Sequence, residues 1–160
     1  MARLSKYTAS TLTVSLKESL TIDGRDYGGS QSYSFSGIGN VTRRLETITT
    51  TEATILNFST AIGAGTYIPG DVKYMRFSNL DDTNFVVLTF TNENDDEVAI
   101  KLDAGQTFVL AGDNSGGMAA MMNAVAGDAG SDTALGDLKD IQADANTGSC
   151  DMEIYIAGTA

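Results

Sequence analysis

In 160 residues there is no histidine, no tryptophan, one cysteine and one proline. Without histidine, no Ser-His or Cys-His couple can form, and zinc chemistry loses its commonest nitrogen ligand. A lone Cys150 allows neither an internal disulfide nor a thiolate metal cluster. Set in Ser149-Cys150-Asp151-Met152-Glu153-Ile154, it reads as a small buried hydrophobe on a strand rather than a nucleophile. The missing tryptophan removes the usual platform for stacking a sugar. No apolar run approaches the ~20 residues needed to cross a bilayer. Met1-Ala2-Arg3-Leu4-Ser5-Lys6 has two basic residues but no apolar stretch behind them, so no secretory leader is expected. The expectation is a soluble chain made and used in a cytosol, or carried out of one inside an assembly.

Charge is sparse and uneven. Charged residues make up 19% of the chain, below the ~25% of an average domain. Net charge is −11: residues 1–80 carry eight Lys/Arg against six Asp/Glu, and residues 81–160 carry two against fifteen. An acidic surface repels nucleic acid and anionic lipid, so neither is expected as a partner. Most of this acidity reads as a solvated face, with a basic patch on a neighbouring subunit as the alternative.

What is abundant is Thr, Val, Ile, Tyr and Phe in period-2 patterns, with Gly, Asn and Asp between them, a composition suited to strands and turns. Residues 11–22 alternate through Leu12, Val14 and Leu16 and then Leu20 and Ile22, and Asp23-Gly24 is a hairpin signal. Residues 31–38 carry Tyr33 and Phe35, stop at Gly37-Ile38-Gly39-Asn40, and a new strand is expected over 41–51. Residues 54–62 and 71–80 follow, with the only proline, Pro69, in the turn between them. The run 85–91 (FVVLTFT) is nearly all apolar, as in a strand buried on both faces. With 97–103 and 106–111 it predicts, together with 71–80, an antiparallel meander. Residues 112–136 are glycine-rich, with Met118, Met121 and Met122 in an Ala-rich patch; one short helix over 118–125, capped by Ser115 and ended at Gly127, or an ordered loop is expected. Strands over 138–143 and 150–157 close the chain. The expected fold is all-β: an antiparallel β-sandwich of jelly-roll or Greek-key type, with nine or ten strands and at most one short helix. It would be one domain over 11–160, with residues 1–10 as an N-terminal arm or frayed end.

The constellations that could carry chemistry fall short of it. Asn92-Glu93-Asn94-Asp95-Asp96-Glu97 is rich in oxygen ligands but has Glu97 and Asp103 where the calcium loop of an EF-hand needs Gly and Glu. On a strand Asp140 and Asp144 share a face at a spacing too long for one small ion, on a helix Asp137, Asp140 and Asp144 would share one, and nothing pairs two carboxylates as glycoside hydrolysis requires. Gly37-Ile38-Gly39-Asn40-Val41-Thr42 lacks the third glycine of a dinucleotide fingerprint. No catalytic residue, cofactor or metal ligand is expected, and the chain reads as a non-enzyme. Partner contacts are the more promising class. Arg43 and Arg44 should face opposite sides of one strand. Arg76, among Tyr74 and Phe77, should be satisfied by Asp81 or Asp82 or lie at a contact. Met118, Met121 and Met122 offer either an adaptable docking surface or a plug for one end of the sandwich.

One stretch is distinctive: Val72-Lys73-Tyr74-Met75-Arg76-Phe77-Ser78-Asn79-Leu80-Asp81-Asp82-Thr83-Asn84-Phe85, continuing through 98–102 into Asp103-Ala104-Gly105-Gln106-Thr107-Phe108-Val109-Leu110, and later Ala143-Asp144-Ala145-Asn146-Thr147. It resembles small virion structural proteins of tailed, especially marine, bacteriophages, over roughly residues 40–157. These are turn and strand signatures and transfer no catalytic residue. The resemblance implies a virion-associated β-sandwich made in the host cytoplasm, a capsid decoration (cement) subunit that bridges major capsid proteins and forms a homo-oligomer. A tail, neck or fibre component, or a carbohydrate-binding module, is the alternative.

Overall fold

Apolar–polar alternation becomes strand wherever it is long enough to bury one face. The structure, a computed structural model, describes residues 8–60, 63, 65–112, 119–124 and 136–159. These form β1 (Ser10–Glu18), β2 (Thr21–Ile22), β3 (Arg25–Asp26), β4 (Gly29–Ile48), β5 (Ala53–Phe58), β6 (Thr66–Tyr67), β7 (Val72–Asn79), β8 (Val86–Asn92), β9 (Glu97–Leu102), β10 (Thr107–Ala111), β11 (Leu138–Ala145) and β12 (Cys150–Thr159), with one 3-10 turn at Ala119–Met122. Two five-stranded sheets, in the orders β1-β4-β12-β7-β10 and β6-β5-β11-β8-β9, face each other as a β-sandwich. Only β6, running beside β5, breaks the antiparallel pairing among these strands.

The core lies between the sheets. Phe77 of β7 meets Phe90 of β8 edge-on at 6.4 Å, and Phe90 meets Phe108 of β10 at 5.9 Å. Leu56, Met75, Phe77, Leu88, Phe90, Ile141, Cys150, Met152 and Ile154 are all fully buried. Cys150 is therefore packing material, and burial pushes its thiol pKa up.

Three expectations are corrected. Residues 71–111 are not a meander: β7 and β10 pair in the first sheet, while β8 and β9 pair in the second. The chain crosses the sandwich between β7 and β8 and returns between β9 and β10. Apolar patterning cannot distinguish the two arrangements, since a strand buries one face whichever sheet it joins, and a loop of four to six residues spans the ~10 Å gap between sheets. Next, residues 37–40 do not end a strand. β4 is continuous for 20 residues, roughly 65 Å of contour. Gly37, at φ +74°, absorbs an extra residue opposite β1 as a bulge. Finally, the expected helix over 118–125 is, in its described part, the single 3-10 turn; Met118, Ser115 and Gly127 lie outside the described residues, as do residues 1–7 of the expected arm.

Asp23-Gly24 does turn a hairpin, with both residues at positive φ as a type I′ turn requires. Its position matters more. β1 and the first half of β4 pair only with each other, from Glu18–Gly29 down to Ser10–Ile38, and the second half of β4 pairs with β12. The β1–β4 ribbon with the β2–β3 hairpin at its tip therefore reaches past the sandwich as an arm.

Candidate functional site

Two regions are candidates, at opposite ends of the first sheet. The turn residues of the distinctive stretch, at 79–84, 103–106 and 146–147, gather at one end, where the chain crosses between sheets. Asn79 is 1% exposed. Its Nδ2 donates to the carbonyls of Asn84 (2.9 Å) and Leu102 (3.2 Å), and its Oδ1 accepts from the Asp81 amide (3.0 Å). Asp81 accepts from the Thr83 and Asn84 amides at 2.8 and 2.6 Å, which hold its carboxyl below the ordinary carboxylate range. Gln106 Oε1 accepts from the Asp103 amide, and the Gln106 carbonyl accepts from the Asn79 amide. Thr147 donates to Asn84 Oδ1 at 2.8 Å, and the Asn146 amide donates to the Phe85 carbonyl. These polar groups are spent on one another. The motif locks two crossings and the β11–β12 loop together, which is a folding role.

The acidic turn is similarly self-contained. Asn92, 1% exposed, accepts from the amides of Asn94 and Asp96 through Oδ1, and Asp95 pairs with Lys139. Asp137, Asp140 and Asp144 are not drawn together. Asp137 bonds Glu93 through its backbone, Asp140 accepts from Gln142, and Asp144 is pushed up by desolvation and by the nearby Glu52. Among the described residues no three of His, Cys, Asp and Glu converge on a point a metal could occupy. A cavity of about 120 Å3 beside Asn40, Tyr67, Ile68 and Thr159 is smaller than the ~300 Å3 at which ligand pockets begin.

The outer face of the first sheet is built differently. Arg43 and Arg76 converge on Glu153: Arg43 Nε reaches Oε2 at 2.8 Å and Arg76 pairs with Oε1. Both arginines hold the Glu153 carboxyl below its ordinary range, the Arg43 bond being the larger influence. Arg76 also donates to Ser78 and lies over the Tyr155 ring at 5.8 Å. Its partner is thus the cross-strand Glu153 rather than Asp81 or Asp82, because β12 lies directly beside β7, whereas Asp81 accepts from the Asn84 and Thr83 amides and Asp82 from the Thr83 hydroxyl. Arg44 points the other way, as alternation requires, donating to the Ile55 carbonyl and pairing with Glu46 at 3.0 Å. Of the methionines, Met122 packs against the main core and Met121 is half-buried.

Sequence reasoning missed the feature beside this network. Leu12, Val14 and Leu16 of β1 lie opposite Phe35, Tyr33 and Gln31 of β4, so one face of the arm is apolar; Thr13, Ser15 and Lys17 lie opposite Ser34, Ser32 and Ser30 on the other. At the arm's base this apolar face is covered. Phe35, Ile38, Tyr74 and Ala157 form a second buried cluster with Leu12, Val14 and Tyr155 against it. Tyr74 stands edge-on to Tyr155 at 5.7 Å, and its burial raises the phenol pKa. Toward the tip the cover ends: Leu16 is 54% exposed, Tyr33 47%, Leu20 50%, Ile22 52% and Tyr27 58%. On the adjoining sheet face Leu45 (68%), Val41 and Val109 are exposed as well. The clean alternation of 12–16 is the available signal, and such a pattern by itself indicates one buried face.

No family model matches the chain, and no curated protein sequence matches it. Among solved structures, a Bacillus endospore appendage, from a family of disulfide-linked pili, is similar over 99% of this chain and 96% of that one, at a TM-score of 0.40 and 8% identity. At those values the similarity assigns neither family nor function.

Proposed function

We propose that this protein is a non-enzymatic structural subunit that acts by assembly, and that its setting is a bacteriophage particle, where it serves as a capsid decoration (cement) subunit. The observation that carries the assembly reading is the arm: a two-stranded ribbon with one apolar face, uncovered over its outer half. Such a ribbon is marginal in water without something to cover it. The rest of the described polar machinery supports the same reading, since its donors and acceptors are turned inward on loops and ladders. The phage setting is supported by the resemblance of residues 72–110 and 143–147 to small virion proteins. Its mechanism would be many modest contacts acting together across a repeating shell.

The test is to purify particles from a phage carrying this gene and from a deletion mutant, and to image both. Density for the chain on the shell, lost in the mutant with weakened capsids, is the expected result. Mutant particles with unaltered shells and tails, and no copy of the chain in the parent particles, would overturn the proposal.

A further inference from the structure

We infer that the arm's partner is a second copy of this chain, and that the arm of one copy lies on the outer face of the first sheet of the next. This inference rests on the assembly reading above and names its contact. The first ground is that both halves of the contact are present and uncovered on one chain. The donor is the apolar face of the arm at Leu16, Leu20, Ile22, Tyr27 and Tyr33; the acceptor is the sheet face at Val41, Leu45 and Val109. Between them, where Leu12 and Val14 meet Tyr74, Arg76 and Tyr155, is an open cleft of about 240 Å3, room for a large side chain.

Charge is the second ground. A chain of net charge −11 repels copies of itself over most of its surface. The arm and the outer face together carry Lys17, Arg25, Arg43 and Arg76 against Glu18, Asp23, Asp26, Asp151 and Glu153, a balance of −1. The apolar surface therefore coincides with the surface on which two copies can approach. Area is the third. The exposed halves of the five arm side chains come to on the order of 500 Å2 on one copy and the three sheet residues to on the order of 300 Å2 on the next, against roughly 1,600 Å2 in total for a standard interface, a modest contact of the kind that repetition along an assembly strengthens.

The contact is head-to-tail: the surface each copy offers differs from the one it receives. Such contacts propagate into rings or chains of copies rather than stopping at a two-fold dimer. The same arm cannot satisfy its own sheet, because its uncovered residues lie beyond the Gly37 bend that seats Phe35 on Tyr74.

The experiment uses the full chain with two variants, Leu16→Asp in the arm and Leu45→Asp on the sheet, checked for native circular dichroism; Leu16→Ser and Leu45→Ser stand in if either aspartate variant misfolds. Analytical ultracentrifugation should show oligomers for the wild type and monomers for each variant alone. An equimolar mixture of the two should give a dimer and nothing larger, since only one intact arm and one intact face remain to meet. Wild-type monomers at all concentrations would overturn the inference. So would a Leu45 variant that assembles like the wild type, or a mixture that stays monomeric. A wild-type monomer that still binds purified particles would sink self-docking while leaving the assembly reading standing; a monomer found on no particle would sink both.

Discussion

The two ends of the first sheet differ in what they leave undone. At the crossing end, Asn79, Asp81, Asn84, Gln106 and Thr147 consume one another's hydrogen bonds, and little is left to offer a partner. At the arm end, Leu16, Leu20, Ile22, Tyr27 and Tyr33 stand half-exposed on a ribbon whose opposite face is Ser, Thr and Lys. The two ends mislead in sequence in opposite ways. Polar residues crowded into a loop attract attention as a possible site, yet here they are the fastening of the fold. Alternating apolar residues attract none, because they look like any core strand, yet here they are the open surface.

That contrast can be broken by substitution. The largest effect is expected at Asn79→Ala, which strips a buried side chain from three backbone groups; leaving the buried Leu102 carbonyl and its neighbours unpaired should cost about 3 kcal/mol by chemical denaturation. Association of the fraction that remains folded should be unchanged. Gly37→Val comes next. A β-branched residue at φ +74° should cost about 1–2 kcal/mol, and by straightening the bulge it should expose the Phe35–Tyr74 cluster and alter association too. A loss of association from Asn79→Ala, with none from Gly37→Val, would reverse the assignment of the two ends.

The smallest effect is expected at Glu153→Gln, on the outer face of the first sheet. The folded-state pKa of Glu153 lies below its unfolded value because Arg43 and Arg76 favour the charged form. Its contribution to stability is therefore present above the ordinary Glu pKa of ~4.3 and lost as pH falls through the folded value. The melting-temperature gap between wild type and Glu153→Gln should be widest near neutral pH and close in acid. A gap that stays constant from pH 7 to pH 3 would show that the arginines do not favour the ionised form.

Strand content and the all-β sandwich were legible in the sequence, since period 2 and Asp-Gly turns are local physics. Which sheet each strand joins was not, because a four- to six-residue loop serves a hairpin or a crossing equally well; the β7–β10 and β8–β9 ladders, with the bonds of Asn79 to the distant Leu102 and Gln106, distinguish them. The opposite orientations of Arg43 and Arg44 followed from alternation. The partner of Arg76 did not, because Glu153 lies 77 residues away in the chain and reaches it only through the β12–β7 ladder. The arm was hidden for a related reason: whether Leu16 and Tyr33 are covered depends on what packs over the ribbon, and an alternating pattern is silent on that.

Amide hydrogen exchange on the full chain, dilute against assembled, tests the central contrast most directly. Protection is expected to rise over residues 10–38 and 41–47 on assembly and to stay unchanged over 79–85 and 103–106. A rise confined to the crossing loops, with the arm exchanging as it does in the monomer, would contradict it.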